Sequence, residues 1–161
     1  MADIQTHRQH PLDNRIPPPL VLVLVAAAMA TGAAMLPPSG LAGPVSWGLT
    51  GICLVVAGLF GPPAIGRFRR AGTTINPVAI ERASQLVVEG VYGWSRNPMY
   101  VSMAAILAAI AAATAQPLLL LGPVAFVLYI TRFQIIPEER TMAVLFGEAY
   151  AAYRSRVRRW L

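Results

Sequence analysis

Between Arg15 and Arg67 the chain reads IPPPLVLVLVAAAMATGAAMLPPSGLAGPVSWGLTGICLVVAGLFGPPAIG (residues 16–66), with no charged residue anywhere in it. In water such a stretch is hard to account for. In lipid it is required, because a charge at mid-bilayer costs about 2.5–3.5 kcal/mol on insertion scales. The stretch divides in two. Pro17-Pro18-Pro19 opens a run to Leu36, and proline suits a helix start because its missing N–H would have no partner there. Pro37-Pro38-Ser39-Gly40 makes a turn, and Val45–Gly66 is a second run with Trp47 near one end as an interfacial anchor. Each run is near the ~20 residues needed to cross a bilayer. A cleaved signal peptide is a poor account of the first run, which is long for such a segment and is followed at once by the second. Gly61-Pro62-Pro63 is expected to kink or end the second helix before Arg67.

The rest of the chain agrees with this reading. It has 161 residues, enough for one domain, of which 56% are hydrophobic and 12% charged; a soluble domain carries about 25% charged residues. The net charge is +6 and every basic residue is arginine. Those arginines flank apolar blocks, which fits membrane anchoring and argues against nucleic acid. Cys53 is the only cysteine, and His7 and His10 sit in a polar tail without a cysteine cluster, so neither a disulfide nor a metal site is expected. A second uncharged block runs from Asn97 to Thr131, broken at Gln116-Pro117, and reads as a hairpin of two slightly short helices with a kink at Gly122-Pro123. The expected architecture is an all-α integral membrane domain over residues 1–161. It has about four transmembrane helices (18–36, 45–66, 98–115 and 117–134), a cytosolic loop and a C-terminal amphipathic helix. Part of the loop, Pro77–Val88, is expected to form a short surface helix. Arginines gather in 1–15, in 67–96 and from 132 onward, and are absent from the turns near 37–44 and 115–117. The positive-inside rule then puts both termini and the long loop in the cytosol, at the inner membrane if the source is bacterial. Ala104–Ala115 is rich in small residues, as at packed membrane helices, which serves a hairpin or an oligomer equally.

Two polar stretches meet at that expected cytosolic face: EGVYGWSRNPMY (Glu89–Tyr100) and Pro137-Glu138-Glu139-Arg140. Gly90 and Gly93 allow tight turns, Tyr92 and Trp94 can stack or sit at the interface, and Pro98 starts a helix. The same residue types also make an ordinary aromatic belt and helix start. The acids after Pro137 suit the first turn of a helix; they equally suit a ligand ammonium or sulfonium. Arg96 and Arg132 suit a ligand carboxylate, because guanidinium pairs with it bidentately. S-adenosylmethionine carries all three charges. Tyr150 and Tyr153, three apart, share a helix face; they line either a pocket or an amphipathic surface helix.

GVYGWSRNPMY, a hydrophobic hairpin, then PEER and LFGEAYAAYRSRV together resemble the isoprenylcysteine carboxyl methyltransferase and phospholipid methyltransferase family over about residues 72–160. The resemblance implies a small multi-span bundle with S-adenosylmethionine in a cytosol-facing pocket (72–100 and 132–160) and a lipophilic acceptor arriving from the bilayer. It implies cofactor contacts from Ser84, Gln85, Leu86, Val87, Tyr92, Asn97, Pro98, Met99, Tyr100 and Glu138, with Glu139 beside them and Gln134 facing the substrate. The reading of the charges adds Arg96 as a cofactor contact, and Glu139 and Arg132 are the catalytic candidates. The family's usual histidine is Asn97 here, which hydrogen-bonds but does not titrate near neutral pH. The carboxyl methyltransferases have an arginine where this chain has Gln134, which weakens a prenylcysteine carboxylate as substrate and leaves an amine lipid or another small lipophile open. A non-catalytic protein on the same scaffold and an NADPH-dependent sterol-reductase-like enzyme are the alternatives.

Overall fold

The structure is a computed structural model describing residues 11–37, 39, 42–70 and 85–161. Those residues form helices and no strand. In order they are α1 (Pro18–Met35), α2 (Pro44–Arg70), a 3-10 turn (Gly90–Gly93), α3 (Pro98–Thr114), a 3-10 turn (Pro117–Leu120), α4 (Leu121–Ile130), a π turn (Thr131–Ile135) and α5 (Ile136–Arg156). α1, α2 and the continuous helical stretch Pro117–Arg156 are long and apolar enough to cross a membrane. α3 is apolar and has 17 residues, about 26 Å at 1.5 Å per residue, a little under the hydrocarbon thickness. Outward-facing Val23, Leu24, Val55, Leu59, Leu121 and Leu128 are exposed large apolar side chains, the surface a lipid-facing bundle presents.

α3 is the central helix, packed on α1, α2 and α4. Its tightest neighbour is α2. At Gly61 an added Cβ would lie 2.5 Å from Ser102 Oγ, and that hydroxyl donates to the Ala57 carbonyl at 2.9 Å. Small residues let the two backbones approach, and an interhelical hydrogen bond fixes their register. The core beneath is apolar: Met29, Leu107, Phe126, Ile130 and Ile135 are buried together.

The local expectations fare differently. Of the kink or end expected at Gly61-Pro62-Pro63, the end does not occur, because α2 runs on to Arg70; membrane helices tolerate proline because neighbouring helices and side chains take up the freed backbone groups. Gly122-Pro123, where a kink is expected, lies in the first turn of α4 just after a 3-10 turn, a position that accepts proline. The C-terminal helix is not separate from the fourth span. It continues from it through the π turn, and the chain departs from helical geometry at Gly147 (φ 46°, ψ −122°). Of the surface helix expected over Pro77–Val88, residues 85–88 are not helical; the remainder, with Ser84, His7 and His10, lies outside the described residues.

The π turn has a visible cause. Pro137 carries no N–H for the carbonyl of Phe133 four residues back, and its ring crowds that carbonyl. The turn opens just before Pro137, and the Phe133 carbonyl instead accepts the Asn14 N–H at 2.9 Å. At the opposite end of the bundle, Gln116 Nε2 donates to the Pro37 carbonyl at 2.7 Å and joins the two short turns. Replacing Gly61 with valine forces α2 from α3. It should cost about 1–3 kcal/mol, read as a lower melting temperature in detergent, with partial recovery in the Gly61→Val/Ser102→Ala double variant.

Candidate functional site

The polar residues gather at the bundle end opposite the Pro37–Gln116 contact. The 3-10 turn Gly90–Gly93 folds Tyr92 inward, where its ring lies 5.4 Å from that of Phe68 on α2. Tyr153 Oη donates to the Tyr92 carbonyl at 2.7 Å, tying the turn to α5. Burial pushes the Tyr92 phenol well above its ordinary range, so it stays protonated. Arg67 and Glu89 pair at 2.8 Å on the surface, a contact of small energetic weight.

Two carboxylates one residue apart have different surroundings. Glu138 Oε1 accepts the Tyr100 hydroxyl and Gln134 Nε2, both at 2.7 Å. Both bonds fall on the same oxygen. No guanidinium pairs with Glu138 among the described residues. Gln134 is buried and sits four residues before Glu138, one turn away, so the two meet along the helix. Glu139 is the counter-ion of two arginines. Arg96 Nη2 stands 2.9 Å from Oε1, while Arg159 donates through Nε to Oε1 at 3.0 Å and through Nη2 to Oε2 at 2.7 Å. Its hydrogen bonds to Glu139 raise the pKa of Arg159 further. Arg96 keeps two buried nitrogens, Nε and Nη1, with no hydrogen-bond partner; its side chain is 10% exposed. Buried donors of this kind are uncommon.

Asn97, before Pro98, makes no capping bond to α3. Its Nδ2 donates instead to the Arg159 carbonyl at 2.9 Å. Ser95 is fully buried; its Oγ accepts the Asn97 N–H at 3.0 Å and donates to the Arg159 carbonyl at 3.4 Å. Ser95 and Arg159 were not among the residues singled out from sequence. The usable signal was the demand for a counter-ion: Glu139 needed a cation, and five arginines follow it.

The candidates divide accordingly. Tyr92, Arg96, Asn97, Pro98, Tyr100, Gln134, Glu138 and Glu139 lie on the elements that meet here, with Met99 in the first turn of α3 beside them. Gln85, Leu86 and Val87 line a separate cavity of about 290 Å³ with Arg67, Arg70 and Glu89. Arg132 is not brought to the carboxylates. It is exposed and pairs with Asp13 at 3.4 Å, its guanidinium 5.2 Å from the Phe133 ring. A rotation of about 200° separates it from Gln134 on a helix of 100° per residue. Tyr150 and Tyr153 are both buried, ring centroids 6.3 Å apart, and Tyr150 lines a cavity of about 440 Å³ with Gly147, Ala151 and Arg154. On the membrane side, α2, α3 and α4 border an apolar groove of about 620 Å³, with Trp160 and Leu161 also on its lining.

A helical membrane bundle with this polar end is the class the fold and site define. The family model for phospholipid methyltransferases matches residues 47–149, and the chain belongs to that family. A Haemophilus influenzae protein described as uncharacterized is 41% identical over 63 residues, which cover 39% of this chain and the whole of that protein. No solved structure matches. Replacing Glu139 with glutamine leaves two arginines without their counter-ion. For a mostly buried pair the cost is about 3 kcal/mol, to be seen as a lower melting temperature by tryptophan fluorescence.

Proposed function

We propose that the protein transfers a methyl group from S-adenosylmethionine to a lipophilic amine at the cytosolic face of the membrane. Membership of the phospholipid methyltransferase family supports methyl transfer to lipid. The observation that carries the cofactor assignment is the difference between two consecutive carboxylates, Glu139 in ion pairs with arginines and Glu138 held by neutral donors. Glu138 takes both of its hydrogen bonds on Oε1, leaving Oε2 for an ammonium. Arg96, ion-paired to the adjacent Glu139 through Nη2, holds unpartnered Nε and Nη1, either of which suits one carboxylate oxygen. An amino-acid end group has both charges, one carbon apart. The residues present therefore fit the cofactor: Glu138 would hold its ammonium and Arg96 its carboxylate.

When bound, the cofactor supplies a methyl group already activated on a sulfonium. What remains for the protein is to align the acceptor and exclude bulk water from the reacting atoms. It must also let the amine pass its proton to a carboxylate or to water at the polar end, so that its lone pair can take the methyl, S-adenosylhomocysteine being the leaving group. Tyr100 and Gln134 hold Glu138 in one orientation. Glu139, with both oxygens engaged by guanidinium groups, serves as the counter-ion that fixes Arg96. The preference for an amine over a carboxylate acceptor rests on Gln134. It donates to Glu138 in the position where the carboxyl methyltransferases resembled by this chain have an arginine, and Arg132 is committed to Asp13. An acceptor carboxylate would find no cation there among the described residues.

Calorimetric titration of the detergent-purified protein with S-adenosylhomocysteine tests the reading. Micromolar binding is expected, weakened at least tenfold, about 1.4 kcal/mol, by Glu138→Ala. No binding to the parent protein, with its helix content intact by circular dichroism, would overturn the reading.

A further inference from the structure

Past Arg156 the helix stops. Val157 turns to extended backbone (φ −121°, ψ 132°), and the segment Val157–Leu161 runs back along Ser95–Asn97. Polar contacts hold it there: the Arg96 N–H to the Arg158 carbonyl at 3.0 Å, Asn97 Nδ2 to the Arg159 carbonyl at 2.9 Å, and the Arg159 fork on Glu139. Beyond them Trp160 Nε1 donates to Thr131 Oγ1 at 3.2 Å and packs against the core. Each of these residues contacts the candidate site or its flank. Ser95 and the guanidinium of Arg96 are buried beside it.

We propose that Val157–Leu161 is a lid over the cofactor site, with the Arg159–Glu139 ion pair as its catch. The inference rests on the cofactor reading above and adds its gating. Two features favour a moving part over a fixed one. Apart from Trp160, which packs against the core, the attachments are hydrogen bonds and an ion pair, and the Arg159 side chain is 37% exposed, so water competes for the catch. In addition, the closed arrangement leaves Arg96 Nε and Nη1 without acceptors. A ligand carboxylate supplies an acceptor to one of them, so closure is more favourable with ligand than without. That difference is what a ligand needs in order to shift a two-state equilibrium. Asn97 then has a definite role. Its amide anchors the lid through the Arg159 carbonyl, a bond to a neutral acceptor that needs no titrating side chain.

The test compares the full chain with Arg159→Ala and Arg159→Lys. One measurement needs no ligand. In a Cys53→Ser background, Ser95→Cys is labelled with a water-soluble maleimide. Labelling is expected to be at least fivefold faster with Arg159→Ala and intermediate with Arg159→Lys, which keeps the charge and loses the fork. The other is the association rate of S-adenosylhomocysteine by stopped flow, expected to rise at least threefold with Arg159→Ala. Dissociation should also quicken, and added salt should speed association to the parent but not to the alanine variant. Unchanged labelling, or an unchanged association rate in a protein that binds, overturns the lid and leaves the cofactor reading in place. Faster labelling with no binding to any form sustains the lid and removes the cofactor reading.

Discussion

One carboxylate, Glu139, is shared by two guanidiniums that arrive from opposite directions. Arg96 comes from the loop before α3 and Arg159 from the segment after α5. At 12% exposure for Glu139 and 10% for Arg96, such charges persist only when paired. The pairing therefore fixes three pieces of chain at once: the start of α3, the first turn of α5 and Val157–Leu161. Glu138, one residue earlier, is left outside the ion pairs and is oriented by neutral donors. The difference in role between two adjacent, chemically identical side chains comes entirely from who their neighbours are.

The bilayer sets the larger frame. Apolar helices occupy the hydrocarbon, so nearly all polar chemistry collects where they leave it, and the arginines, acids and tyrosines concentrate at one end of the bundle. Pro137 adjusts that end. By denying Phe133 its helical donor it opens a π turn, a device often found at functional sites. The freed carbonyl is taken by Asn14, and Arg132 is taken by Asp13. The segment before α1 is thus tied to the outer side of the same turn whose inner side carries Gln134.

The all-helical membrane fold was legible because it rests on long-range composition: uncharged blocks of bilayer length leave few alternatives in water or lipid. The family was legible from the spacing of RNPMY, the acid pair and the FGEAYAAY stretch. Tyr100 and Glu138, from the two polar stretches, are hydrogen-bonded to each other, and Gln134, reached only through the resemblance, bonds to the same carboxylate. Other features were illegible for physical reasons. Pro62-Pro63 reads as a kink or a stop under rules made for water, and α2 passes through it among membrane neighbours. Arg132 is close to Gln134 in sequence and on the opposite side of the helix in space. Arg159 meets Glu139 across twenty residues that include the departure from helical geometry at Gly147, and no periodicity carries across such a break. Val157–Leu161 carried no reading of its own beyond an arginine-rich end, because its partners lie in a different part of the chain.

On this reading the polar end of the bundle serves methyl transfer to a membrane amine. The decisive measurement supplies the purified protein, in vesicles of mixed amine and non-amine lipids, with methyl-labelled S-adenosylmethionine and follows the label. Label in the amine lipids alone, abolished by Glu138→Ala in a folded protein, is the predicted result. Label on a carboxylate as a base-labile ester, or none in any lipid while the cofactor binds, would contradict it.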